Sequence, residues 1–295
     1  MLVLAAPYIV TLLFQGNETS TGAEGTGQIM EKRLLPQEKK DGQEIDEEEY
    51  LAGIVAEQIP LDSQPEAIKA QAVVARTSLV CALENEEELP ASMSREEMLS
   101  LWGQDGFEQN YRVLDEALGA TQGEILVWEG KPIQAAFHAV SAGKTRDARE
   151  ALGVELPYLS SVDSSIDIPS HDFLKVIFME KKELADKLNQ ARKEAGLTEE
   201  SVAEGISVVK RDAGDYALEV AVGTQTMTGE EFRECLALNS SCFSMKEVEG
   251  KMRIVTKGMG HGVGLSQYGA NEMAKKGKNY IDILTMFFHE VAVGG

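Results

Sequence analysis

Glu57 stands in the run "GIVAEQIP", with Ile54, Val55 and Ala56 before it and Ile59 and Pro60 after it. A carboxyl group among apolar side chains is pushed toward its neutral form, and an acid still protonated near neutral pH can donate a proton to a leaving group. The next stretch, "PEAIKAQAVVARTSLV", sets Lys69, Gln71 and Arg76 on a helix whose apolar residues are spread around the whole wheel, which means burial on most sides. Lys69 and Arg76 share one face, and Gln71 and Ser78 another. A cation on a buried helix needs a partner or an anionic or hydroxyl-rich ligand, because unpaired burial costs several kcal/mol. The plainer alternatives are that Glu57 pairs with Lys69 or Arg76, and that the long stems run out to solvent.

A second group of candidates lies in "RIVTKGMGHGVGLSQYGANEMAKKG" (253–277), a strand, a glycine loop and a helix. Dinucleotide binding is excluded by spacing, because the third glycine of G-x-G-x-x-G is Val263 or Leu265 here, and no P-loop pattern occurs. Instead Gly258, Gly260, Gly262 and Gly264 alternate around His261, followed by Ser266, Gln267 and Tyr268. Glycine at this density admits a close backbone or ligand. It suits either a cleft wall beside an extended polymer or a tight packing bend around a hydrogen-bonded histidine. His138 closes a predicted strand just before the loop "SAGKT" (141–145), a position more common for a structural histidine than for a catalytic one.

The elements that must position these groups are mixed. Ser63-x-x-Glu66 reads as a capping box for the helix after Glu57, with Pro65 in its first turn. Residues 109–118 read as a short helix ending at Gly119. "EILVW" (124–128) and "KPIQAAFHAV" (131–140) read as a hairpin about Glu129-Gly130, with His138 on the face opposite Phe137. Residues 172–196 read as one amphipathic helix, and 206–223 as a hairpin turning at Ala213-Gly214-Asp215. Helices and strands without a βαβ rhythm indicate an α+β fold.

Across 295 residues, 28 basic and 49 acidic side chains leave a formal charge of −21, which repels nucleic acid and anionic headgroups and otherwise describes a solvated face. Cys81, Cys235 and Cys242 are odd in number and lack a C-x-x-C pair, so neither a disulfide framework nor a thiolate metal cluster is indicated. "MLVLAAPYIVTLLF" (1–14) reads as a truncated signal-anchor, 15–44 as a polar linker unable to build a core, and 45–295 as the domain.

Three blocks together resemble the stage II sporulation protein D (SpoIID) family: "EEYLAGIVAEQIP…PEAIKAQAVVARTS", "IQAAFHAVSAGKT…PYLSSVDS" and "GMGHGVGLSQYGANEMAKKGKNYIDIL". "GEEFRECLALNSSCFSM" (229–245) is similar to a fourth family segment, so the resemblance spans about residues 46–290. It implies helices and hairpins around a glycan-binding cleft, and a membrane-anchored lytic transglycosylase acting on peptidoglycan outside the cytoplasm. Glu57 would be the catalytic acid, with Lys69, Gln71, Arg76, His138, Ser141, His261, Ser266, Gln267 and Tyr268 on substrate. Arg76 is expected to face substrate and not the acid, whose pKa a nearby cation would depress.

Ala139, Ala142 and the extra residue in "AEQIP" depart from the family pattern and bear on loop geometry. Some members bind zinc near the central histidine with cysteine help. With no cysteine close to His138 in sequence, no zinc and no other cofactor is expected here, although Cys81 or Cys235 could reach it in space. Partners implied by the resemblance are an anchored amidase/endopeptidase and a multi-spanning membrane protein of the engulfment complex. The competing implication is a peptidoglycan binder that enhances a separate amidase without cutting glycan.

Overall fold

The structure is a computed structural model that describes residues 47–294. The tract read as an anchor (1–14), the whole linker (15–44) and the first two residues of the domain (45–46) lie outside the described residues. Among the described residues no helix is long and apolar enough to cross a membrane.

The chain begins with α1 (Glu47–Gln58), whose first turn carries Glu47, Glu48 and Glu49 where the helix dipole favours anions. α2 (Pro65–Glu84) follows. Its N-cap is Gln64 and not Ser63, because Pro65 takes the first helical position and so moves the cap one residue on. Glu66 is thereby free to accept from Lys69 Nζ at 2.6 Å and from the Tyr280 amide at 2.9 Å. The short helix expected at 109–118 is the end of a longer one, α3 (Arg95–Ala120), which starts in a capping box between Ser94 and Glu97 and breaks at Gly103, where φ is 69°.

β1 (Ile125–Trp128) and β2 (Lys131–Pro132) form the expected hairpin, with Glu129 and Gly130 both at positive φ. The second strand does not run on to 140. The Ala136 amide donates to the Gln134 carbonyl at 3.1 Å, a tight turn that ends the pairing. β3 (Phe137–His138) is therefore a separate strand. α4 (Ala148–Leu152), capped by Asp147, comes next.

Residues 172–196 are not one helix but β4 (Leu174–Glu180) followed by α5 (Lys181–Ala191). Val176, Ile177 and Phe178 favour a pleated surface, and all of β4 pairs with a strand far along the chain, which a local reading of periodicity does not contain. β5 (Ile206–Arg211) and β6 (Ala217–Val222) make the expected hairpin. β7 (Gln225–Thr228), α6 (Gly229–Leu236), β8 (Phe243–Val248) and β9 (Lys251–Lys257) complete this half. β10 (Leu265–Ser266), α7 (Gln267–Lys275), α8 (Tyr280–Phe287) and β11 (Ala292–Gly294) return to the first half.

The fold is α+β, with sheets ordered β11-β1-β2, β4-β9-β8 and β5-β6-β7 and a two-stranded parallel pair of β10 with β3. Two cores result. In the first, α2 is buried along most of its length against α1, α3, α7, α8 and β1. In the second, α5 and α6 pack on the β4-β9-β8 and β5-β6-β7 sheets through Leu184, Leu188, Phe232 and Ile254.

Arg146 ties the halves together. Its Nε donates to Asp212 at 2.6 Å, its Nη1 to Glu230 at 2.8 Å and to the His261 carbonyl at 3.1 Å, and its guanidinium lies 4.8 Å over the Tyr216 ring.

Candidate functional site

Glu57 is the second-last residue of α1 and looks into a cleft of about 210 Å³. Ile133, Phe137, Leu152, Leu156 and Leu159 give the cleft its apolar walls, Gln58, Ser78, Gln134 and His261 its polar points, and Glu87 and Glu88 its acidic rim. The Glu57 carboxyl makes no hydrogen bond or ion pair with any described residue. Its pKa is raised, first by desolvation in the cleft and then by the charge of Glu97. Ile54, Val55 and Ile59, its apolar neighbours in sequence, are instead spent on the core.

Neither cation of α2 reaches the acid. Lys69 pairs with Glu66 one turn back. Arg76 is buried and donates to the carbonyls of Thr121 (2.6 Å), Glu124 (3.2 Å) and Leu118 (3.4 Å). The expected substrate contact of Arg76 is thus corrected: its guanidinium satisfies the open carbonyls at the C-terminus of α3, where a cation also suits the helix dipole. Burial lowers its pKa in spite of Glu48, Glu124 and Glu47 nearby.

Gln71 is fully buried and also positions rather than binds. Its amide donates to Gln58 Oε1 at 2.8 Å, while Gln267 Nε2 donates to the Gln58 carbonyl at 2.7 Å and to Gln71 Oε1 at 3.1 Å. These three glutamines lock the end of α1, and so the residue before Gln58, against α2 and α7.

The glycine loop places His261. Val263 N–H donates to His261 Nδ1 at 3.1 Å, so the neutral ring carries its proton on Nε2. Burial, then His138, Arg233 and Arg146, push its pKa down to about 3. The imidazole, which lines the same cleft as Glu57, is therefore uncharged at neutral pH and adds no positive charge to it. The glycines serve packing, not a polymer track. An ideal Cβ on Gly264 would lie 2.1 Å from the Ala136 carbonyl oxygen, and one on Gly260 would lie 2.8 Å from His138 Cβ, with φ of 73° and 109°.

His138, Ser141 and Ser266 lie behind the cleft, not in it. His138 is buried, contacts the Val263 carbonyl through Nδ1 at 3.1 Å and meets the His261 ring edge-on at 6.0 Å. Burial lowers its pKa against the opposing charge of Asp167. Asp167, which the sequence reading missed, is the hub here. Its Oδ2 accepts from the Ser141 amide (2.7 Å), Ser266 Oγ (2.7 Å) and Ser164 Oγ (3.1 Å). Ser266 also accepts from the Gly269 amide and caps α7. Tyr268 joins this scaffold through its amide, which donates to the Ala139 carbonyl.

Cys81 is the one cysteine on the cleft wall, its sulfur accepting from Asn85 and Gln134, and all three cysteines are free thiols. Cys235 lies in the second half and donates to the Lys187 carbonyl. No group of three or more His, Cys, Asp or Glu among the described residues is placed to hold a metal ion.

The chain is similar to known proteins along most of its length. The SpoIID family model, "Stage II sporulation protein", matches residues 37–128, the segment that carries Glu57 and α2. Stage II sporulation protein D of Bacillus amyloliquefaciens is 34% identical over 260 residues, covering 83% of this chain and 73% of that one. Its counterpart in Bacillus subtilis (strain 168) is 32% identical over 255 residues, covering 82% and 72%. A more distant relative, the amidase enhancer of Bacillus subtilis (strain 168), is 24% identical over 286 residues, covering 81% of this chain and 39% of that protein. With a third of its residues shared along most of its length, the chain belongs to the stage II sporulation protein D family.

Proposed function

We propose that the protein is a lytic transglycosylase that cuts peptide-free peptidoglycan strands between N-acetylmuramic acid and N-acetylglucosamine, in the remodelling of the wall during sporulation. The observation that carries this reading is an unpaired carboxyl, Glu57, with a raised pKa, in a cleft where His261 is neutral and the further carboxylates, Glu87 and Glu88, stand exposed at the rim. Protonated Glu57 gives its proton to the glycosidic oxygen as the C1–O bond breaks, and charge develops on the sugar ring. The resulting carboxylate then takes the proton of the C6 hydroxyl as O6 closes on C1. The acid is regenerated, no water is consumed, and the product ends in a 1,6-anhydro sugar.

Glycosidases that activate water need a second carboxylate set across the bond. In this cleft the further carboxylates are Glu87 and Glu88, exposed at the rim. Gln134, Ser78 and Gln58 are the groups placed to hold sugar hydroxyls and N-acetyl amides, and the leucine wall suits acetyl methyls and the apolar sugar face.

The distant likeness to an amidase enhancer supports a second reading, in which the same cleft holds glycan and stimulates a separate amidase. Incubation of the protein with peptide-free strands, read by mass spectrometry, separates the two. Anhydro ends favour the transglycosylase, whereas uncut bound strands together with faster turnover of an added amidase favour the enhancer. In the sporulation setting the partners would be an anchored amidase/endopeptidase and a multi-spanning membrane protein. The domain would work outside the cytoplasm, held near the membrane by the apolar tract 1–14.

A further inference from the structure

The β4-β9-β8 sheet has one face in the second core, through Ile177, Met179, Ile254 and Met252. Strand alternation and the observed register fix what stands on the other face. Along β4 this is Leu174, Val176 and Phe178, which are 54%, 39% and 58% exposed, a row of apolar side chains left in solvent. Beside them the register sets Lys257 opposite Leu174, Arg253 opposite Phe178, and Lys246 opposite Arg253 on the next strand, with Lys251 opposite Glu180 at the end. Four cations and one carboxylate thus share a single sheet face in a chain with 28 basic and 49 acidic residues. Lys251 pairs with Glu180 at 2.5 Å and Lys257 lies 3.8 Å from Asp215, whereas Lys246 and Arg253 form no ion pair among the described residues.

We propose that this face docks the protein on an anionic lipid bilayer. Net charge alone argues the reverse, since a body at −21 is repelled by anionic headgroups. The repulsion acts on the acidic remainder, however, and so orients the molecule with this cationic apolar face toward the bilayer. Aliphatic and aromatic side chains interleaved with lysine and arginine are what the headgroup boundary accepts: the apolar tips enter while the cations stay at the phosphates.

Two other occupants fit the chemistry less well. A glycan platform uses aromatic rings and side-chain amides, and this face has Phe178 as its single aromatic and neither Asn nor Gln. A peptide adding to the free edge of β4 is held by backbone hydrogen bonds and needs no cations out on the sheet face. The proposal stands independently of the catalytic reading.

Full-length protein is co-sedimented with vesicles of phosphatidylcholine alone and of phosphatidylcholine mixed with phosphatidylglycerol. The apolar tract 1–14 is present in every variant, so differences between variants report the sheet face. The expected result is tighter binding to the anionic vesicles, weakened by salt, and lowered at least about tenfold by Lys246→Glu with Arg253→Glu, since each cation near an anionic surface is worth roughly a fivefold gain in partitioning. Binding to neutral vesicles should not change in that pair, whereas Phe178→Ser should lower binding to both kinds. Thermal unfolding confirms that each variant is folded. Cleavage of soluble strands should be unchanged in all of them, which separates a failure here from a failure of the catalytic assignment. Equal binding by wild type and the charge-reversed variant would overturn the proposal. So would charge-dependent capture by an acidic peptide or by peptide-free glycan with no preference for anionic vesicles.

Discussion

The reactivity proposed for Glu57 rests on what is missing around it. With Lys69 engaged by Glu66 and Arg76 by the end of α3, the charge that bears on Glu57 is that of Glu97, and it acts in the same direction as desolvation. On the proposed mechanism the active form in the free protein is the protonated acid, and kcat/KM is predicted to fall as pH rises through the raised pKa of Glu57. Replacing Glu97 with Gln removes the like charge and keeps a side chain able to complete the cap with Ser94, so the alkaline limb should move to lower pH with little loss of stability. An unmoved limb in the pH profile would remove Glu97 from the account. Arg76→Ala tests a different role. It strands three carbonyls and opens a cavity, and should cost about 2–4 kcal/mol in denaturant unfolding, with kcat of the folded fraction nearly intact. A large fall in kcat without loss of stability would return Arg76 to the substrate. The role of Glu57 as the acid is the proposal made above, but that desolvation raises its pKa was legible in the sequence. The fate of Arg76 was not, because a helix buried all round gives no sign of which neighbour a given face meets.

At the level of elements, the parallel pairing of β3 with β10 brings the His138 and Ser266 backbones into register and sets His261 beside Glu57's cleft. The pair forms only because Gly264 lets the loop pass within contact of Ala136. Gly264→Ala adds a Cβ against a carbonyl at a left-handed φ, so it should cost several kcal/mol and speed amide exchange at Ser266 and Tyr268. Unchanged exchange there would mean that the loop has another way to pack. The four alternating glycines and the loop after His138 were visible in the sequence, but the partner they close on was not. Asp167 sits in a serine-rich run that reads as loop, and only the fold shows that three donors converge on it. β4 was read as helix for a related reason. Its outward side is apolar as well, so the polar alternation that marks a half-buried strand is absent.

Across the whole molecule, two hydrophobic cores meet at the Arg146 cluster, where Asp212 is fully buried and Tyr216 OH accepts from the Ala142 amide. Arg146→Met leaves a buried carboxylate uncompensated and should destabilise by about 3–5 kcal/mol, with the loss falling at the junction. Unfolding followed by tryptophan fluorescence should then split from circular dichroism, because Trp102 and Trp128 both belong to the first core. Coincident transitions would show that the halves are coupled by other means. The α+β class was legible from the mixture of periodicities. The division into two cores was not, because it is set by long-range pairing.

The central claim is that one carboxyl cuts the strand and no water enters. Its most direct measurement is mass spectrometry of peptide-free strands digested in water enriched in heavy oxygen, by wild type and by Glu57→Gln. The account predicts unlabelled 1,6-anhydro ends from wild type and a fall of at least about a hundredfold with Glu57→Gln. Labelled reducing ends, or cleavage that survives the substitution, would contradict it.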